Sequence, residues 1–212
     1  MSDAFERLAR TRVVPVLTAS DPDEAERACQ ALLEGGLSAV EITFRTETAA
    51  DAIRRIARID GLLVGAGTVV SPEQLGAAVD AGARFAVAPG TNPAVVDAAR
   101  RANLPFAPGV ATPTEVERAR GLGCLVVKIF PASLVGGPPF LAALAAVYPE
   151  IRFVPTGGIN RENLASYLEL PAVLACGGTW ICEPALLRER RFDEIERRAR
   201  EAVGQAALAG PV

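Results

Sequence analysis

Eight short apolar runs recur along the chain at near-even spacing, at residues 13–17, 39–43, 62–66, 84–88, 104–107, 125–130, 151–155 and 172–176. They are too apolar for strands with one wet face, so both faces must be covered. Between them lie Ala-rich amphipathic segments with marked starts: Ser20-Asp21-Pro22, Ser71-Pro72-Glu73, Thr91-Asn92-Pro93 and Thr112-Pro113-Thr114-Glu115. Each sets a capping side chain beside a proline suited to a first helical turn. Gly35-Gly36, Gly82 and Gly121 mark helix ends, and residues near 2–10 read as a leading helix. Eight βα units predict an α/β chain folded as a closed parallel (β/α)8 TIM barrel with an N-terminal helix. At 212 residues it is short against the ~250 typical of that fold, which predicts one domain over 1–212. An open doubly wound sheet would need fewer strands and a glycine fingerprint after the first run, where Leu17-Thr18-Ala19-Ser20 stands instead.

Composition then removes whole classes of chemistry. The chain has no histidine, which excludes Ser-His-Asp and Cys-His machines and zinc held by imidazoles. Acid-base work must fall to a carboxylate, tyrosine, lysine, cysteine or water. Cys29, Cys124, Cys176 and Cys182 lack metal-ligand spacing, and Cys124 and Cys176 sit in apolar runs as small core residues. A net charge of -3 leaves no nucleic-acid footprint. No membrane span is expected. Met1-Ser2-Asp3 opens a charged segment unlike a signal peptide, which predicts a cytoplasmic protein.

Of the 22 basic residues only Lys128 is lysine, and it stands within Leu125-Val126-Val127-Lys128-Ile129-Phe130. Where a plain cation was wanted the chain used arginine. An ammonium can lose its proton and attack a carbonyl and a guanidinium cannot, so Lys128 is a candidate Schiff-base nucleophile rather than an ordinary strand-end lysine. Barrel chemistry sits at the C-terminal strand ends. There, alternation puts Glu41, Thr43 and Arg45 on one face and Val126, Lys128 and Phe130 on another. If both faces point inward, Glu41 can approach Lys128 as proton carrier or ion-pair partner, and Arg45 can clamp a carboxylate. Thr156-Gly157-Gly158 and Gly177-Gly178-Thr179 follow the seventh and eighth runs, where glycines and a following helix N-terminus suit a phosphate.

Taken together, Glu41-Ile42-Thr43-Phe44-Arg45-Thr46-Glu47, Gly65-Ala66-Gly67-Thr68-Val69, Lys128-Ile129-Phe130-Pro131-Ala132, Pro155-Thr156-Gly157-Gly158-Ile159 and Gly177-Gly178-Thr179-Trp180 resemble the 2-keto-3-deoxy-6-phosphogluconate (KDPG) and 4-hydroxy-2-oxoglutarate (KHG) aldolase family. The resemblance runs from about Arg12 to Ala202. It implies a class I aldolase, usually a homotrimer, that splits 2-dehydro-3-deoxy-6-phosphogluconate into pyruvate and glyceraldehyde 3-phosphate without metal or cofactor. It implies Lys128 as the Schiff-base lysine, Glu41 as the acid-base carboxylate, and Arg45 and Thr68 as contacts to the pyruvyl carboxylate. Pro89 and Phe130 match pocket-lining residues, and Thr156, Gly157, Gly158, Gly178 and Thr179 match the phosphate end. Thr179 stands where many members carry serine, and the 133–139 loop stands where many read Glu-Ala before glycine. The galactonate epimer and unphosphorylated 4-hydroxy-2-oxoglutarate would use the same nucleophile. A sugar-phosphate epimerase or a noncatalytic binding protein would share the glycine loops but be indifferent to Lys128.

Overall fold

The computed structural model describes residues 2–210, so Met1, Pro211 and Val212 of the expected 1–212 span lie outside the described residues. Its first half runs α1 (Asp3–Thr11), β1 (Val13–Leu17), α2 (Pro22–Glu34), β2 (Ala39–Thr43), α3 (Ala49–Ile56), β3 (Leu63–Gly67), α4 (Pro72–Asp80), β4 (Phe85–Val87) and α5 (Pro93–Arg101). The second half runs β5 (Phe106–Ala107), β6 (Gly109–Val110), α6 (Pro113–Gly121), β7 (Val126–Ile129), α7 (Gly137–Val147), β8 (Arg152–Pro155), α8 (Leu164–Leu168), β9 (Cys176–Gly178), α9 (Pro184–Arg188) and α10 (Phe192–Leu208). The four start signals all open helices. Asp21, Ser71, Asn92 and Thr112 accept bonds from the N–H groups of Asp23, Gln74, Ala94 and Glu115, each ahead of a first-turn proline. An oxygen thus satisfies one orphan amide, and proline removes another without a lost bond.

Among the described residues all strand pairings are parallel. Six strands adjoin in the order β5-β4-β3-β2-β1-β9 and three in the order β6-β7-β8, giving a curled parallel sheet. Three expected boundaries are corrected. The fifth run extends past residue 107 and divides at Pro108, which has no N–H for a ladder, although its carbonyl accepts from the Lys128 N–H at 2.8 Å. The last strand is Cys176–Gly178 rather than 172–176: Val173 makes only an isolated bridge to Phe153, and the ladder to β1 begins at Val13↔Cys176. Gly121 is the last residue inside α6, and the left-handed glycine beyond it is Gly123, with φ 82°.

Alternation along the strands sorts their residues between two cores. Val40, Ile42, Val64, Ala66, Val127 and Ile129 pack outward with residues of the helices. Val14, Ala39, Leu63, Phe85, Val126 and Val154 pack inward with Ala4, Phe5 and Leu8 of α1, which covers that side of the sheet. Helix α1 ends at Arg12 in the left-handed region (φ 63°), and the buried Arg12 guanidinium donates to the carbonyls of Val173 and Leu168. This ties the end of the helix to the chain leading into β9. Two residues beyond Ala39 and Val126, on the same inner face, stand Glu41 and Lys128.

Candidate active site

Lys128 and Glu41 are 87 residues apart in sequence, yet Lys128 Nζ lies 3.0 Å from Glu41 Oε1 and 3.2 Å from Oε2. Both side chains are buried, at 5% and 3% exposure. Desolvation offsets most of the attraction inside a buried ion pair, so stability alone is a poor reason to keep one. Chemically the contact is direct, because a proton leaving Lys128 has a carboxylate oxygen within reach and Glu41 can return it. The Phe130 ring centroid lies 5.9 Å from Nζ. Burial makes the thiols poorer nucleophiles: it raises the pKa of Cys124, pushes that of Cys29 up to about 12 and raises those of Cys176 and Cys182.

Glu41 owes its position to a missing side chain. Glu41 pairs in register with Gly65, and Thr43 with Gly67, so the glutamate side chain lies along β3. A Cβ built on Gly67 would collide with Oε1 and come within 2.5 Å of both Cγ and Cδ of Glu41. A Cβ on Gly65 would strike the Phe85 ring. Gly67 belongs to the quoted motif, but its role at the site was not read from the sequence. The available signal was a glycine on the strand neighbouring a candidate carboxylate, which becomes meaningful only with the register known.

At the tips of β2 and β3 the Phe44 N–H donates to the Gly67 carbonyl at 2.7 Å, bringing the chain at Arg45 beside that at Thr68. Thr68 has φ 58°, a left-handed conformation that costs a β-branched residue on the order of 1–3 kcal/mol and tends to mark functional sites. Strand β2 ends at Thr43, so Arg45 lies in a turn rather than on the Glu41 strand face, and its side chain is exposed. Among the described residues Glu41 pairs with Lys128 and not with Arg45. Thr43 and Thr18 share a hydroxyl contact at 2.8 Å. Half-buried Pro89 follows β4, where its backbone closes over Gly109.

The other end of the site is built from loops. Thr156 is buried and bridges Gly177, whose missing side chain leaves room for the threonine. Gly157 and Gly158 have φ 96° and 75°, and their N–H groups find no acceptor among the described residues. Gly178 has another task, since a Cβ there would strike the Trp180 ring. Thr179 is exposed just beyond β9. The expected helix N-termini are absent from these loops. Helices α8 and α9 have five residues each and begin only at Leu164 and Pro184, so an anion here would be held by loop amides.

A family model described as KDPG and KHG aldolase matches residues 5–198. The 2-dehydro-3-deoxy-phosphogluconate aldolase of Treponema pallidum is 45% identical over 196 residues, covering 92% of this chain and 93% of that protein. A crystal structure of KDPG aldolase from Legionella pneumophila, with pyruvate captured at low pH as a covalent carbinolamine intermediate, superposes with TM-score 0.90 at 35% identity, covering 95% of this chain and 98% of that one. The 2-keto-3-deoxy-6-phosphogluconate aldolase of Zymomonas mobilis with 3-phosphoglycerate gives TM-score 0.87 at 35% identity over 94% of each chain. The matched span takes in every strand and both loops of the site, and the chain therefore belongs to the KDPG and KHG aldolase family.

Proposed function

We propose that this chain is a class I aldolase, a carbon–carbon lyase that cleaves 2-dehydro-3-deoxy-6-phosphogluconate to pyruvate and D-glyceraldehyde 3-phosphate. The observation that carries the reading is the buried contact of the only lysine with both oxygens of Glu41. Relatives support it, one named for this substrate and one holding pyruvate as a carbinolamine.

In the proposed cycle Glu41 takes a proton from Lys128, and the neutral amine attacks the C2 ketone. Glu41 then protonates the departing hydroxyl, which leaves as water, and an iminium remains. Glu41, a carboxylate again, takes the C4 hydroxyl proton as the C3–C4 electrons flow into that iminium. The aldehyde phosphate departs, and Glu41 returns a proton to C3 of the enamine before water hydrolyses the imine. Arg45 and Thr68 hold the pyruvyl carboxylate. Pro89 and Phe130 line the pocket, and Thr156, Gly157, Gly158, Gly178 and Thr179 form the phosphate end, with Gly178 acting through the packing of Trp180.

The same machinery accepts 4-hydroxy-2-oxoglutarate or the galactonate epimer, and small pocket differences discriminate by only about 1–3 kcal/mol. The test is pyruvate release from each of the three substrates, compared as kcat/KM. The gluconate-derived epimer should lead, and failure to release pyruvate from any of them would overturn the reading. For the architecture, we propose one (β/α)8 domain closed into a barrel. Supporting it are β5 and β6 meeting at Pro108 and the parallel bridges Phe153↔Val173 and Thr156↔Gly177 on the other side. The family resemblance adds a homotrimer, to be checked by light scattering. It also suits a cytoplasmic setting, and no described helix is long and apolar enough to cross a membrane.

A further inference from the structure

The loop after β7 is knit to the double-glycine turn after β8. The Ala132 N–H donates to the Thr156 carbonyl at 2.8 Å, and the Ser133 N–H donates to the Gly157 carbonyl at 3.0 Å. Above the turn, the Ser133 side chain occupies the space that a side chain at position 158 would need: a Cβ built on Gly158 would collide with Ser133 Oγ. The turn itself is fixed, because Asn163 Nδ2 donates to the Gly158 carbonyl at 2.9 Å. Ser133 is exposed, and its hydroxyl has no hydrogen-bond partner among the described residues. A free O–H donor therefore stands beside two free N–H donors, those of Gly157 and Gly158. The segment from Pro131 to Pro139 contains no acidic residue, so nothing on this side of the turn repels an anion.

We infer that Ser133 is a specificity-determining residue: its hydroxyl donates to the phosphate of the substrate and so favours phosphorylated over unphosphorylated 2-oxo acids. This rests on the aldolase reading above. A hydroxyl is a suitable third donor for a dianion whose other contacts are backbone amides. It can rotate to whichever oxygen the glycines leave unpaired, and a hydrogen bond to a charged acceptor is worth more than one between neutral groups.

The alternative is that Ser133 only fills space over Gly158, and substitution separates the two. Ser133→Ala keeps the Cβ and removes the donor; Ser133→Thr keeps the donor; Ser133→Asp replaces it with a negative charge. The readout is the ratio of kcat/KM for 2-dehydro-3-deoxy-6-phosphogluconate to that for 4-hydroxy-2-oxoglutarate. It should fall about tenfold in Ser133→Ala, the weight of one hydrogen bond to a charged group, and further in Ser133→Asp. In Ser133→Thr it should stay close to wild type. A ratio unchanged in both the alanine and aspartate variants overturns the assignment. Borohydride trapping of pyruvate on the wild-type protein tells the two failures apart. If the adduct forms and the ratio is flat, only Ser133 is misassigned; if no adduct forms, the aldolase reading falls and this inference with it.

Discussion

An ammonium that touches both oxygens of a carboxylate cannot attack a ketone until a proton crosses the gap, which here is 3.0 Å. Lys128→Arg should keep charge and fold, checked by circular dichroism, while abolishing cleavage, since a guanidinium supplies no free amine. Residual turnover within about tenfold of wild type would contradict a Schiff base. Glu41→Gln should lower kcat by roughly 10²–10⁴-fold, the usual worth of a positioned acid-base. A fall in melting temperature with kcat unchanged would instead make the pair structural. Gly67→Ala tests the same carboxylate from behind. Its methyl would enter the space of the Glu41 side chain, at a cost of about 1–3 kcal/mol in stability. It should lower kcat by at least about tenfold because the base is displaced, and an unchanged kcat would show that Glu41 tolerates the move. Lys128 and Glu41 were legible in the sequence because one is unique in kind and alternation aims both inward. Gly67 was not, because it contributes an absence that only the register of β2 against β3 reveals.

Between strands and helices, legibility followed the chemistry of each segment. Helix starts were read correctly because a capping oxygen and a proline act within one turn and need no tertiary partner. Strand ends were misread where Pro108 interrupts a ladder and where Gly177-Gly178 forms an edge of β9 that no propensity marks. The glycine turns after β8 and β9 were expected to lead into helix N-termini, which the short α8 and α9 do not supply at the turn. The two ends of the site should therefore fail separately. Gly158→Val puts a β-branched residue at φ 75° and into Ser133 Oγ, so it should raise KM for the phosphorylated substrate sharply. Arg45→Ala should instead weaken pyruvate capture by about tenfold or more, through loss of a charge-assisted bond. Trapped pyruvyl protein measured against pyruvate concentration compares them. A folded Gly158→Val that loses trapping as badly as Arg45→Ala would refute the two-ended site.

For the molecule as a whole, the buried thiols set an alkaline limit. Burial raises the Cys29 pKa from 9.0 to about 12 and also raises those of Cys176 and Cys182. Above pH 9.0 the unfolded chain releases these protons and the folded chain holds them, so the stability they contribute is complete below 9.0 and is lost as pH rises. The melting temperature should fall through that window, less steeply in Cys29→Ala, and an identical slope in that variant would contradict the assignment. The central claim also belongs to this scale, because residues 87 apart meet only when the sheet curls. Its most direct test is to incubate the folded protein with pyruvate, reduce with borohydride, and locate the modification by peptide mass spectrometry. One reduced pyruvyl group on the peptide carrying Lys128, absent without pyruvate and absent in Lys128→Arg, is the result expected. An unmodified Lys128 peptide, or an adduct that persists in Lys128→Arg, would contradict it.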